Sequence, residues 1–365
     1  MKKIILAGLL LVALAGNTFA QKIEVFAKFN KNRPANPAVD RHGNVYVTMH
    51  PLDGANVSLM KIDKNGNRSV YPNKTWASNP NGLGEGIANA IGIQVTKNDL
   101  LYVLDWGNKT SEPRVVVWDI AKNQLHRLYI IPAYVRKANS FLQDFALDTK
   151  RGFIYIADMG RANLVGEQTP AIIALDLKTG YARRLLEKNP TFMASETGFK
   201  ADGKNVTLQT DKGKVALNLG LNPITIDPKN EWVYYSTVNA GKIYRIKAST
   251  LSDFSKTNKE LSKAIETYGP KPATDGISID GEGNVYITSL SEDAIGITTK
   301  GKYEVYIQDK RLSWVDGMSY GPDGYFYAVV DQLHKSAALN GGKELATKPY
   351  LIVKFKSKGK NKIGR

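Results

Sequence analysis

Apolar and polar positions alternate along this chain in short runs, and one paired unit of such runs recurs six times between residues 38 and 331. In each copy an apolar run ends in a turn, and a second run centred on tyrosine follows. The copies are Ala38–Asp40 with Asn44–Thr48, Ile93–Val95 with Leu100–Asp105, and Phe145–Asp148 with Phe153–Asp158. The other three are Ile224–Asp227 with Trp232–Ser236, Ile277–Asp280 with Asn284–Thr288, and Met318–Tyr320 with Tyr325–Val329. Successive central tyrosines lie 56, 53, 79, 52 and 41 residues apart. Period-two alternation bounded by Asn, Asp and Gly predicts antiparallel hairpins. A hairpin repeated at the length of a four-stranded blade predicts an all-β, six-bladed β-propeller over residues 21–355.

Helical periodicity is scarce. A short helix is expected within Lys256–Tyr268, and a single turn within Pro132–Leu142. The longest gap between copies holds a polar, glycine-containing insertion, about Lys188 to Lys214, expected as a hairpin or loop on one blade. Gly82, Gly84 and Gly86 imitate a nucleotide fingerprint, but no strand leads in and no parallel crossover follows, so this is a loop and no nucleotide cofactor is expected. Asp63–Asn67 resembles the start of a calcium loop, but the distal glutamate is missing, so it is a hairpin turn. Alternating runs at Ile23–Phe29 and Tyr350–Phe355 predict a blade shared by both ends of the chain, which closes the ring and covers an edge.

Two features of composition change this picture. Lys2 and Lys3 precede an apolar stretch, Ile4–Ala15, and small residues at Thr18 and Ala20. Residues 1–20 therefore read as a secretory signal, and the protein as exported, periplasmic or secreted. The chain has no cysteine, which excludes disulfides, thiolate metal sites and cysteine nucleophiles. The formal net charge is +16, and a basic tail over 356–365 is expected to be solvated, with weak contact to an anionic envelope surface as its candidate role. No nucleic-acid-reading motif accompanies the charge. Oligomeric state leaves no sequence signal.

In a propeller the first strand of every blade lines the central channel, so the residue that begins each such strand lies on one rim. Those positions are Asn36, Ile91, Asp144, Asn222, Asp275 and Asp316, five of them Asn or Asp. Three clustered carboxylates need a proton or a cation between them. Oxygen donors without Cys or His point to calcium or another divalent cation. The competing occupant is a small organic cation or aromatic molecule, with Trp106, Trp314 and Phe141 supplying faces. Local capping of inter-blade turns is the purely structural alternative. Asp144 and Asp316 are the candidate proton-moving groups, and Asp105 and Asp158, which end second strands, are candidate supporting or acid–base groups. His42 falls in a turn and His126 in a strand, whereas His50 and His334 follow second strands and are placed to reach the channel mouth.

Phe141–Asp148 with Ile154–Asp158, Leu221–Asp227 with Val233–Ser236, Thr274–Asp280 and Trp314–Met318 together resemble the major royal jelly protein/yellow family, in order and over nearly the whole mature chain. The resemblance implies a secreted six-bladed propeller with a ligand pocket at the channel mouth. Pigment-pathway proteins associated with dopachrome conversion, amine binders and nutrient proteins belong to that family. A more distant similarity is to the gluconolactonase/regucalcin-like propellers, whose metal is held by a first-blade glutamate, an asparagine and an Asp-Gly aspartate. Asn222 and Asp275 resemble the last two and are the metal ligands that this similarity implies. Asn36 stands where that similarity calls for glutamate, which removes a metal-binding charge.

Three functions follow as expectations: binding of a small cationic or aromatic ligand at the channel mouth; metal-assisted lactone hydrolysis or dopachrome-type tautomerisation; and an interaction platform that uses the basic tail. Metal content separates the second from the first, and tail deletion tests the third.

Overall fold

The structure is a computed structural model that describes residues 22–80 and 84–364; the expected signal segment lies outside them. Six four-stranded antiparallel sheets form a ring. Their innermost strands are Pro34–Val39, Ala90–Val95, Leu142–Asp148, Leu221–Ile226, Thr274–Ile279 and Val315–Tyr320, in blades one to six. Each packs against the innermost strands of the blades before and after it, and blade six packs against blade one. Blade six is closed by both ends of the chain, with Glu24–Phe29 paired antiparallel to Tyr350–Lys356 from Glu24 opposite Lys354 to Phe29 opposite Tyr350.

The recurring Asp and Tyr have a common cause. Asp40 Oδ1 accepts the backbone N–H groups of His42 and Asn44, which builds the turn, and Tyr46 donates its hydroxyl to Asp40 Oδ2 at 3.1 Å. Tyr155 with Asp148 (3.3 Å) and Tyr286 with Asp280 (3.0 Å) repeat the pair. The buried hydroxyl thereby finds its acceptor while the ring fills the space between blades. Tyr46 and Tyr71 meet at 4.8 Å in the core between blades one and two, and Phe192 and Tyr235 at 5.0 Å in that between three and four.

Departures from the expected elements are local. The helix is shorter, Asn258–Lys263 with a Thr257–Glu260 capping box, because Glu266–Lys271 is taken up as the outer strand of blade four. The insertion forms two hairpins, Lys200–Ala201 with Lys204–Asn205 and Thr207–Thr210 with Gly213–Ala216. Their apolar residues join Phe141, Trp314 and Leu339 in a separate core over one end of the channel.

The basic tail is docked. Lys358 N–H donates to the Tyr286 hydroxyl, Gly359 N–H to Asp280 Oδ2, and Gly364 N–H to the Tyr320 carbonyl. Lys362 reaches Thr149 and the Lys360 carbonyl accepts Gly281 N–H. These anchors are the inner hairpin turns of several blades, so residues 357–364 cross the far end of the channel. A segment read as solvated by its charge is held by its backbone, with Lys358 and Lys360 exposed.

Candidate functional site

Every innermost strand carries a register shift at its start, so two of its residues oppose one on the second strand. A bulge re-aims adjacent side chains to different levels of a sheet. Here it splits the expected ring into two layers. Counting back five residues from the inner turn gives Ala35, Ile91, Gln143, Asn222, Asp275 and Asp316, and counting back four gives Asn36, Gly92, Asp144, Pro223, Gly276 and Gly317. The first set supplies the channel mouth, where Ile91, Gln143, Asn222, Asp275 and Asp316 line one cavity. Asn36 and Asp144 line a different, deeper one. The expected single ring is thus corrected: Asn36 and Asp144 have four residues to their turns where the mouth residues have five, and the bulge turns that one-residue difference into a change of level. The mouth position of blade one is Ala35, so Asn36 does not occupy the place compared with a metal-binding glutamate.

The second strands hold the bulges in shape. Thr48 Oγ1 accepts Asn36 N–H, and Thr288 Oγ1 accepts the N–H groups of Asp275 and Gly276. Glycine at 276 is required by approach: a Cβ there would lie 2.2 Å from the Asp316 carbonyl oxygen.

At the mouth, Asp275 is buried and accepts from Asn222 Nδ2 at 2.6 Å and from Trp314 Nε1 at 2.8 Å. Trp314 is fully buried with φ at +55°, a left-handed conformation costly for a bulky residue, and this backbone fixes the indole over Asp275. Asp316, Asp331 and a ring nitrogen of His50 lie within 4.8 Å of one another, all buried. His50 Nδ1 accepts Leu52 N–H, so the neutral ring carries its proton on Nε2 and neither nitrogen has a lone pair left for a metal. Burial, with Arg33 nearby, drives the His50 pKa down to about 3. Burial raises Asp275 to about 6 and, with its carboxylate neighbours, holds Asp316 and Asp331 well above the usual carboxylate range.

Asp331 was not among the residues expected from sequence; it follows the second strand of blade six, one residue beyond Val330, which is the counterpart of the strand-ending Asp105 and Asp158. Those two are fully engaged. Asp105 accepts Ala88, Asn89 and Gly107 N–H and pairs with Arg114, and Asp158 accepts Phe141 and Gly160 N–H, Ser140 and Arg184. They are structural, which corrects their candidacy as acid–base groups. Asp331 Oδ1 accepts Leu333 N–H, while its buried Oδ2 has no partner among the described residues. Its counterpart in blade one is His50, which follows its own second strand in the same way, and that shared position at the channel mouth was the signal that could have found it.

The cavity has a volume of about 40 Å³ and is roofed by Leu164, Leu217, Leu219, Leu333 and Leu339 with Phe141. Trp314 lies on its wall, whereas Trp106 packs behind Phe141 at 4.5 Å and lies off the cavity wall. His334 stacks on the outer face of Trp314 and bonds Asp202 at 3.0 Å in a neighbouring surface pocket. His42 and His126 are exposed and remote. Nearby cations are already engaged: Lys271 Nζ donates to the carbonyls of Thr237, Val238 and Asn239, and Arg33 binds Asp53, Glu344 and the Asp331 carbonyl.

Fold and site together define a six-bladed propeller with an acidic, covered pocket at one end of its channel. Residues 88–354 match the major royal jelly protein family, and the chain belongs to that family. It is 23% identical to Protein yellow of Drosophila erecta over 80% of this chain and 53% of that protein. It is 21% identical to Major royal jelly protein 7 of Apis mellifera over 65% of this chain and 53% of the relative. The chain spans about half the length of the curated relatives it matches. Among solved structures it is similar to the calcium-binding protein regucalcin from Agrobacterium tumefaciens, with a TM-score of 0.58, 12% identity, and 94% of this chain and 98% of that one covered. A luciferin-regenerating enzyme (TM-score 0.59, 13% identity, 94% and 99% covered) and a gluconolactonase from Xanthomonas campestris (0.54, 11%, 92% and 91%) share the fold.

Proposed function

We propose that this protein is an exported binding propeller whose channel mouth holds a compact cation on Asp275, Asp316 and Asp331. The observation that carries this reading is the meeting of three buried carboxylates at the mouth: Asp275 and Asp316 line a small cavity whose other polar lining, Asn222, Gln143, His50 and Trp314, is neutral, and Asp331 lies within 4.8 Å of Asp316. Buried carboxylates without a counter-charge keep their protons, and a cation displaces them. A volume of about 40 Å³ accepts one ion and no aromatic ring. The donors suit a hard divalent ion such as calcium: oxygen only, with the unpartnered Asp331 Oδ2 among them and His50 excluded by its tautomer. Asp275, Asp316, Asp331 and Asn222 are the residues that would hold it. When bound, such an ion polarises a carbonyl or acidifies water. In a lactonase or tautomerase, protons at the mouth would fall to Asp316 or Asp331, since Asp144 lines the other cavity.

The test is calcium titration and metal analysis of wild type and of Asp275→Asn with Asp316→Asn. Loss of at least a tenfold in affinity in the double variant is expected, and unchanged affinity would overturn the reading. A second reading, a small organic amine, is favoured by the apolar roof and Trp314, and it requires the roof to lift. Calorimetry with aromatic amines, repeated after Leu339→Ala, tests it: binding that neither form shows would exclude it.

A further inference from the structure

The deeper cavity has its own chemistry. It measures about 30 Å³ and is lined by Asn36, Gln94, Asp144 and Thr225, with Gly364 of the tail at its edge. Gln94 Nε2 donates to the Phe145 carbonyl at 2.6 Å, which orients the amide and leaves Oε1 buried without a donor. Asn36, itself 8% exposed, likewise has a buried Oδ1 without a donor among the described residues. Asp144 Oδ1 accepts only Phe145 N–H. Three acceptors from three blades therefore surround one small space, and the side chains around it bring no cation.

Water answers this arrangement poorly, because a water molecule has two hydrogens to give to three buried acceptors. A metal ion satisfies several oxygens at once and, by displacing the proton of Asp144, balances the carboxylate charge. The glycine backbones of the neighbouring bulges leave the room: a Cβ at Gly317 would fall 1.4 Å from Asn36 Oδ1, and one at Gly92 would fall 3.0 Å from Asp144 Oδ1.

We infer that Asn36, Gln94 and Asp144 form a second, inner cation site in the channel, for a hard metal ion, and that the docked carboxy-terminal tail seals it. The seal follows from the path of the tail. Gly364 N–H bonds the Tyr320 carbonyl, and a Cβ on Gly364 would lie 2.1 Å from the Val95 carbonyl oxygen, so the chain lies flush against blade two beside the site. The mouth is closed from the other side by its leucine roof. An ion in the inner site then exchanges only when the tail lifts.

Calcium binding to the mature protein tests this by competition with a chromophoric chelator and by the rate of release to excess chelator. In the Asp275→Asn, Asp316→Asn background, where the mouth is disabled, one slowly exchanging calcium equivalent is expected. Adding Asp144→Asn, which keeps shape and removes the buried charge, should weaken that equivalent at least tenfold. Asn36→Asp, which adds a ligand charge, should tighten it at least tenfold. Deleting residues 357–365 should speed release at least tenfold, with near-ultraviolet circular dichroism reporting that the ring is intact. No calcium in the mouth-disabled protein, or a slow equivalent indifferent to both Asp144→Asn and Asn36→Asp, would mean that the cavity holds water only and overturn the inference. Failure of the mouth reading would instead leave wild type and the double variant alike.

Discussion

Asp275 and Asp144 begin equivalent strands in different blades and differ by a single residue of spacing, yet they serve different regions. Around Asp275 two donors, Asn222 and Trp314, converge on the carboxylate, two further aspartates stand close, and a core contributed by the insertion covers it. Around Asp144 the neighbours are amide oxygens and glycine backbone, and the cover is a stretch of tail held by backbone hydrogen bonds. The ring repeats its strands closely, but each bulge offers two side-chain levels, and residue choice at those levels separates a donor-rich mouth from a donor-poor interior. Symmetry provides the positions; departures from it provide the chemistry.

The sharpest way to break this comparison is to add one methyl group beside each carboxylate, at Gly276 next to Asp275 and at Gly92 against Asp144. A Cβ at Gly276 meets backbone, the Asp316 carbonyl oxygen at 2.2 Å and Gly317 Cα at 2.9 Å, so blades five and six must separate. At Gly92 the nearest atom is a side-chain oxygen, Asp144 Oδ1, at 3.0 Å, with Asp144 Cα at 3.1 Å. Overpacking against backbone belongs to the severe class of substitutions. Gly276→Ala should cost about 3–5 kcal/mol in urea unfolding and abolish cation binding at the mouth, and Gly92→Ala about 1–2 kcal/mol. Equal losses would show that the surroundings of Asp275 and Asp144 are equally tight and that the glycine pattern carries no distinction.

Much of this was legible in the chain. The hairpin repeat specified blade number and the closing strands, because period-two alternation and Asp/Gly turns are local signals that the ring only assembles. The layers were legible too, through the count of residues from each candidate to its turn. They escaped a reading that aligned Asn36 and Asp144 by residue type. Asp331 was hidden because it lies one residue past the second strand of blade six, at a position filled by Trp106, Met159, Val238 and Leu290 in other blades, so no repeated residue type marks it. The tail and the roof could not be read at all: the tail's lysines advertise solvent while its backbone makes the contacts, and the roof leucines Leu217, Leu219 and Leu339 come together only through the fold.

Stability against pH in calcium-free protein sharpens the comparison with a somewhat smaller effect. Burial raises Asp144 to about 7 and Asp275 to about 6 from an ordinary value of 3.8. A folded carboxyl that keeps its proton above the pKa of the unfolded chain must lose it as pH rises, which favours unfolding. The contribution of these groups is therefore fully present below about pH 4 and is lost as pH climbs toward 7. Each tenfold change in proton affinity corresponds to about 1.4 kcal/mol. Asp144→Asn should raise stability at pH 8 by on the order of 2–4 kcal/mol and Asp275→Asn by about 1–3 kcal/mol, with little change at pH 4. Calcium should reverse the ranking, stabilising wild type more than either variant. Denaturation at the two pH values, with and without calcium, decides it; an Asp144→Asn protein no more stable than wild type at pH 8 would mean that this carboxyl is not held in a desolvated site.

The mildest perturbation asks whether the two levels are electrically separate. Trp314→Phe keeps an aromatic ring under the leucine roof and removes the one indole N–H that Asp275 accepts. A hydrogen bond to a carboxylate favours its charged form, so its loss should push the Asp275 pKa further upward and cost about 1–2 kcal/mol of stability above the titration, where the carboxylate is charged. Asp144 makes no bond to Trp314, and its pKa owes most to its own burial, with Asp275 contributing less. Carboxyl carbon chemical shifts followed through a pH titration read both residues in one experiment. The expected result is a clear upward move for Asp275 with Asp144 nearly still, and a lower proton affinity at the mouth once calcium is added. Were both to move together, the bulges would separate the side chains in space without separating their fields, and the mouth and the interior would titrate as a single site.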